Sequence, residues 1–490
     1  MPNATITQTD LVSPSYPAMF GRRVIYTDQK SITRDNLLSV LNDALLIHSL
    51  NELESDYLRR YYRGDQPILG REKAFRPEIN NRIVENRANE IVAFKTGYLM
   101  GEPLQYISRS SDERISDDIA KLNSYAVAED KECKDRELAE WMYNCGVGYR
   151  MVLPVEEGED KELSPFHIYT RDPRLTFNVY YSGLSHKCVM GVAIIVTSSG
   201  SRRYCIYTDK MYYEVFEGEI EKSEPHALEE VPIIEYPLNN TRLGAFEIVL
   251  PLLDSLNNLD SNRMDGIEQF IQAILVFVNS RITKEKLEAL YPLGAIEINS
   301  ETGLPADVKY LVQELNQSQT QITKDDIYNS ILTICGMPNR NGGSSTSDTG
   351  RAVIMRDGWS DAEARAKNDE LMFKSSEKRF LRLIIRIASQ FNGINLKVSD
   401  IDIRFTRRNY ENITEKSNVL TNMLSNNKIH PSLAFTHCGL FVDPEMAYKM
   451  SMEYQKELAS TKEGEGDIEP ANQPGNNEAD GNDPQEREPS

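Results

Sequence analysis

Apolar residues recur every three or four positions along most of this 490-residue chain and every second position only in its middle. That contrast predicts a mixed α+β protein, mainly helical, with one β-rich portion. Residues 1–30 show strand-like and turn residues without a clear period. From about Thr33 to Tyr62, positions Leu37, Leu41, Leu45, Leu53, Tyr57 and Tyr61 keep a helical face, and Arg63-Gly64 stops it. A second helix is expected over about Ile83–Met100, ended by Gly101 and Pro103, and a third over about Asp117–Tyr143. Between Tyr149 and Tyr236 the character changes. Runs such as Tyr149–Leu153, Val192–Val196 and Tyr204–Tyr207 are rich in β-branched and aromatic residues and are separated by polar turns.

A long helix is predicted over about Phe246–Ser280. Val249, Leu252, Leu256, Leu259, Ile267 and Ile271 form its apolar stripe, and Asp254, Asn257, Asn258, Asp260, Ser261, Asp265 and Gln269 its polar side. One apolar stripe of that length requires neighbours. The polar side lacks the paired opposite charges that flank a coiled-coil seam. Arg281–Gln317 reads as a short mixed segment, with a helix near Lys284–Leu290 and strands near Gly294–Ile298 and Val308–Val312. A helix over Ile322–Cys335 follows and ends at Gly336-Met337-Pro338.

Next comes Gly336–Gly350, in which twelve of fifteen residues are Gly, Ser, Thr, Asn or Pro. These residue types favour turns and positive φ, so the stretch reads as a mobile loop between two strong helices. The residues alone leave two readings open, a working loop or a tolerated surface insertion. Arg351–Phe391 is then expected as a helix with Asp361/Arg365 and Glu363/Lys367 pairs in the favourable acid-first order, and with Gly358 as a possible kink point. Ile401–Phe405 alternates as a strand. Helices follow over about Thr414–Leu424 and from Asp443-Pro444, where cap and first-turn proline stand in the preferred order.

The formal charge of −20 excludes a protein that adheres to nucleic acid or anionic membranes by bulk electrostatics. From Thr461 to Ser490, nine acidic residues face only Lys462 and Arg487, and Ile468 is the one large aliphatic side chain. Such a segment cannot bury enough surface to order itself, so residues 459–490 read as a disordered acidic tail. The most apolar run, Ile267–Val278, is too short for a bilayer and contains Glu268, so no membrane association is expected. No signal-peptide pattern is visible, and the six scattered cysteines lack CxxC spacing, which suits a reducing compartment.

The search for chemistry excludes more than it finds. No P-loop, Gly-x-Ser-x-Gly, His-Glu-x-x-His or EF-hand pattern occurs. Cys145-Gly146-Val147-Gly148-Tyr149 imitates a nucleotide loop but does not complete Gly-x-Gly-x-x-Gly. His437-Cys438 is the one neighbouring His/Cys pair, and adjacent side chains diverge. No catalytic constellation emerges, so the expectation is a protein that is not an enzyme and carries no catalytic residue, cofactor or metal.

The order of parts, together with several short motifs, resembles the portal proteins of tailed double-stranded DNA bacteriophages of the Gp6-like family. The motifs are Tyr61-Tyr62-Arg63-Gly64, Asn80-Asn81-Arg82-Ile83-Val84-Glu85-Asn86, Thr96–Pro103, Gly146-Val147-Gly148-Tyr149, Asp348-Thr349-Gly350-Arg351-Ala352, Phe405-Thr406-Arg407-Arg408-Asn409-Tyr410 and Gly439–Pro444. The resemblance implies a ring, usually dodecameric, at one capsid vertex of the virion, around a channel for DNA entry during packaging and exit during ejection. It divides the chain into an N-terminal arm (1–30), a wing (31–245), a stem helix (246–280), a clip (281–317), a second stem helix (318–335), a tunnel loop (336–350), a long wing helix (351–391) and a crown (392–458). It implies further copies of the chain, double-stranded DNA, the terminase large subunit, major capsid and scaffolding proteins and head-completion or adaptor proteins as partners. The residues placed at the DNA channel are Arg340, Asn341, Gly342, Gly343, Ser344, Ser345, Thr346, Ser347, Asp348, Thr349, Gly350 and Arg351. Arg340 and Arg351 are the candidates for transient phosphate contacts, against the reading that they are solvated or paired loop charges. Alternatives from other classes are a different ring-shaped head–tail adaptor or scaffold, and a metal-dependent nuclease.

Overall fold

The computed structural model describes residues 21–271 apart from 75, 110–111, 157 and 159–162, then 274–278, 284, 305, 307–311, 317–339, 358–406, 413–441 and 444–464. Two compact units divide the chain, Met1–Asn409 and Tyr410–Ser490. The helix and strand content is mixed, as the periodicity indicates.

In the first unit, helix α1 (Arg34–Tyr62) opens where Thr33 donates its backbone N–H to the Asn36 side chain at 2.8 Å. Its buried Leu37, Val40, Leu41 and Ala44 lie on a six-stranded sheet. That sheet runs β1 (Ile25–Thr27), β5 (Thr176–Tyr181), β6 (Cys188–Val196), β7 (Arg202–Tyr207), β8 (Met211–Phe216), β9 (Glu219–Pro225), and only β1–β5 is parallel. The outer strand β9 reads Glu-Ile-Glu-Lys-Ser-Glu-Pro, mostly exposed, a charged edge that discourages pairing with foreign strands. A three-stranded sheet of β10 (Ile233–Pro237), β3 (Val147–Pro154) and β4 (Phe166–Arg171) adjoins α4 (Lys131–Cys145) and the long α7 (Trp359–Asn392). Phe380, Leu381, Ile384, Ile385, Ile387 and Ala388 of α7 are buried, as their spacing foretells, and so is Phe373; Phe391, expected with them, is exposed at the helix end.

The single third helix expected over Asp117–Tyr143 is two, α3 (Glu113–Ala128) and α4, because Asp130 takes a positive φ of 51° between them. Gly146 ends α4 in the left-handed region, and a Cβ there would lie 2.0 Å from the Arg242 carbonyl oxygen. A Cβ on Gly148 would lie 2.8 Å from Leu138 Cδ1. The two glycines that imitate a nucleotide loop are thus a tight helix-to-strand junction.

The helix expected over Phe246–Ser280 is shorter. After a 3₁₀ turn at Glu247–Val249, α5 runs Leu250–Ile271, and Ile274–Val278 is a strand, β11, paired antiparallel with β12 (Asp307–Leu311). The β-branched, aromatic run Ile-Leu-Val-Phe-Val reads equally as either element by periodicity, and a cross-strand partner decides it. The helix expected at Lys284–Leu290 and the strand at Gly294–Ile298 lie outside the described residues, save Lys284. Strand β13 (Ile401–Arg404) pairs with β2 (Gln105–Ser108) in the first unit, and the second unit begins at Tyr410.

Among its described residues that second unit holds three helices, α8 (Ile413–Leu424), α9 (Pro431–Cys438) and α10 (Pro444–Gly464). His430 caps α9 by accepting the Ser432 N–H. Its core is small: Phe435 lies 5.3 Å from Phe441 and 5.8 Å from Tyr448, centroid to centroid. No helix among the described residues is long and apolar enough to cross a membrane.

Candidate functional site

The candidate site is the pair α5 and α6 (Gln317–Cys335) with the base of the loop that follows, and it begins with an unusual use of α5's polar side. Asn257 and Ser261 are fully buried and Asp265 nearly so. They accept backbone N–H groups from an extended segment: Glu85 to Asn257 at 2.8 Å, Ile83 to Ser261 at 3.0 Å, Asn81 to Asp265 at 2.7 Å. Positions four apart on a helix are about 6 Å apart along its axis, and positions two apart on an extended chain about 6.6 Å. The near match lets one helix face take the place of a neighbouring strand. Lys73 and Arg71 also pair with Asp265, at 2.9 and 3.2 Å. Helix α2 (Arg87–Leu99) begins only after this segment, capped by Asn86. The expected start at Ile83 is therefore four residues early, because those amides are already taken.

Helix α6 packs on α5. Lys324 joins them, lying 3.0 Å from Asp260 and 3.1 Å from Glu85. Burial works against the Glu85 charge, yet hydrogen bonding with Asp260 and Lys324 and the nearby Arg87 leave its carboxyl below the usual range. Arg87 also lies 4.2 Å over the Tyr328 ring.

Helix α6 stops at a glycine, as expected. Gly336 has φ +64°, its N–H bonds Thr333 O at 3.2 Å, and the Met337 N–H bonds Leu332 O at 2.8 Å. This is the Schellman arrangement, with Met337 and Leu332 both buried. Arg365 of α7 then donates to the Ile334 carbonyl at 2.8 Å and the Thr333 carbonyl at 3.4 Å. A Cβ at Gly336 would fall 2.0 Å from Arg365 Cδ, so the glycine also makes room for the guanidinium stem. A cation on terminal carbonyls complements the negative end of α6. Arg365 serves α6 rather than Asp361, which corrects one expected pair; the other, Lys367 with Glu363, forms at 3.7 Å.

Gly358 (φ +80°) starts α7 rather than kinking it, and a Cβ there would sit 3.7 Å from Pro338 Cα. The chain thus leaves at Asn339 and returns at Gly358 close to the same point. Trp359 lies 6.1 Å from both Phe94 and Tyr98 of α2, and Tyr98 donates to Glu363 at 2.9 Å. Lys95, on the same helix, has its amine pKa lowered by burial, with Asp369 opposing.

The sequence-predicted residues Arg340 to Arg351 all lie outside the described residues, so the structure neither brings them together nor separates them. What it adds is the anchor: Arg365, Trp359, Phe94, Lys95 and Tyr98. Only Tyr98 stands within a quoted motif, and nothing local in the sequence points Arg365 at α6. Elsewhere, Cys438 is buried and bonds the Phe435 carbonyl while His437 is exposed. Among the described residues, no cluster of three His, Cys, Asp or Glu side chains could hold a metal ion.

A family model described as phage portal protein, SPP1 Gp6-like, matches residues 49–465. Among solved structures, the neck of an empty GTA particle computed with C6 symmetry aligns with a chain that shares 11% identity at a TM-score of 0.42, covering 72% of this chain and 90% of that one. No curated protein matches.

Proposed function

Because the chain belongs to the SPP1 Gp6-like family of phage portal proteins, a bacteriophage head–tail connector family, we propose that it forms a dodecameric ring at one capsid vertex and conducts DNA through the axial channel. The family match over residues 49–465 carries this reading. In it, α5 and α6 are the stem, the segment between them the clip that docks the terminase large subunit and later the head-completion proteins, and residues 336–350 the tunnel loop. Capsid and scaffolding proteins meet the outer wing. The protein performs no catalysis; DNA moves past it.

Two features support the assignment. The Gly336 cap, the Arg365 clamp and the Trp359 cluster fix side by side the points where the chain leaves and re-enters, the rigid base that a tunnel loop needs. A strongly acidic chain also suits a conduit, because extensive phosphate contacts would hold DNA in place.

Purified protein imaged by negative stain is expected to show rings with a central hole; monomers and dimers alone under all conditions refute the reading. Deleting Asn341–Thr349 is expected to leave rings intact and to lower packaged DNA in a reconstituted packaging assay. Unchanged packaging would make the loop passive.

A further inference from the structure

A cavity of about 330 Å³ opens between α7 and the start of β13. Its walls come from different parts of the chain. Lys374 and Lys378 stand four apart on α7 and so share one face of the helix. The other wall is the 3₁₀ turn Val398–Asp400 and the strand that follows it. Arg109, just beyond β2, donates its backbone N–H to the Asp400 carbonyl at 2.9 Å, which fixes the turn and brings a third cation to the lining. Val398, Ile401 and Ile403 supply the apolar lining, and both isoleucines are buried.

The lining thus carries three cations against one carboxylate, Asp402, in a chain whose formal charge is −20. Asp402 is itself taken by Arg109 at 3.3 Å and Arg404 at 3.2 Å. Lys374 is braced by Glu370 at 2.5 Å and lies 5.7 Å from the centre of the Phe405 ring. Lys378 is exposed and forms no ion pair among the described residues. Two of the three cations are therefore positioned by carboxylates, and the third is available to a ligand.

The basic face does not continue along α7. Arg382 pairs with Glu230 at 3.1 Å, and Arg386 donates to the Leu228 carbonyl. A nucleic-acid strand needs a charged groove that tracks its backbone, whereas a cavity of this size with an apolar wall suits one small molecule. A monocarboxylate would satisfy one cation and leave two. A phosphate monoester carries close to two negative charges at neutral pH and three strong acceptor oxygens. We propose that the cavity binds a small organic phosphate of the nucleoside monophosphate class. Its ring lies against Val398, Ile401 and Ile403, and its phosphate between Lys374, Lys378 and Arg109. The site is separate from the ring and channel reading and does not rest on it.

The test titrates the full chain calorimetrically with adenosine monophosphate, adenosine and inorganic phosphate. Adenosine monophosphate is expected to saturate one site per chain, with adenosine and inorganic phosphate each weaker by about tenfold or more. Lys378→Gln is expected to weaken the nucleotide about tenfold at an unchanged unfolding temperature, since Lys378 is exposed, and Lys378→Arg to retain it. Lys367→Gln, which alters another exposed lysine of α7, is expected to have no effect. No saturable binding up to about 1 mM overturns the proposal. Inorganic phosphate binding as tightly as the nucleotide shows an adventitious ion only, and an equal loss in Lys367→Gln shows bulk charge; both overturn it. A DNA duplex that depends on Lys378 while the mononucleotide does not bind assigns these cations to DNA and overturns it too.

Discussion

Two buried polar regions of the first unit solve the same problem in opposite ways. Around Arg150, fully buried on β3, ionised groups satisfy one another. Asp135 and Glu377 flank the guanidinium, Lys131 bridges both carboxylates at 2.6 and 2.9 Å, and Tyr236 donates to Glu377 at 2.6 Å. Along α5, by contrast, side chains satisfy backbone amides of residues 81, 83 and 85. The first arrangement fixes α4, α7 and two sheets at one point and fails if one member is removed. The second spreads a segment over one helix face in small, separate steps.

The sharpest way to break this contrast is Arg150→Leu. It leaves Asp135 and Glu377 buried with Lys131 alone, and a loss of about 3–5 kcal/mol in unfolding free energy is expected from denaturant titration. A change below about 1 kcal/mol would mean that water reaches the cluster.

Acid provides the next test. Burial by itself would raise the Glu377 carboxyl, but the Lys131 and Arg150 charges outweigh it and hold the pKa far below the ordinary 4.5. A carboxylate depressed in the folded state lends stability above its unfolded pKa and loses it as pH falls. Unfolding temperature is therefore expected to drop with falling pH below 4.5, and Glu377→Gln is expected to make that slope shallower. Glu247 has the opposite sign. Burial, opposed by Arg22, pushes it up to about 7, so its contribution fades as pH rises from 4.5 toward 7. Glu247→Gln is expected to remove that fade; an identical pH profile would show Arg22 fully compensating it.

The smallest effect belongs to the seam. Ser261→Ala strands one amide, that of Ile83, and costs about 1–3 kcal/mol at most. Hydrogen exchange is expected to rise at residues 81–85 and to stay unchanged at β3. Uniform acceleration across the unit would show the seam and the centre to be one cooperative block.

Helix α1, the glycine stop of α6 and most of the buried half of α7 were legible because periodicity and glycine stops are local signals. The polar side of α5 was equally visible: Asn257, Ser261 and Asp265 stand out, and the absence of zipper charges excluded a coiled coil. Their partners were invisible, because residues 81–85 lie some 170 positions away and carry no mark of extended structure. The expected loop Gly336–Gly350 lies outside the described residues after Asn339, and the Arg365 clamp at its base was not visible in the sequence. Arg365 carries a good local partner in Asp361, and only the arrival of α6's carbonyl end at that spot redirects it.

The sequence by itself determined the helical and β-rich portions, the glycine at the end of α6, the polar composition of the tail and, through its motifs, the family. Tertiary structure alone decided that Ile274–Val278 is a strand, that Arg365 closes the loop base, and that the polar face of α5 is an interior surface. The division has one physical cause. Caps and periodicity are set within a turn or two of helix, whereas a buried donor or acceptor takes whichever partner the fold brings within about 3 Å.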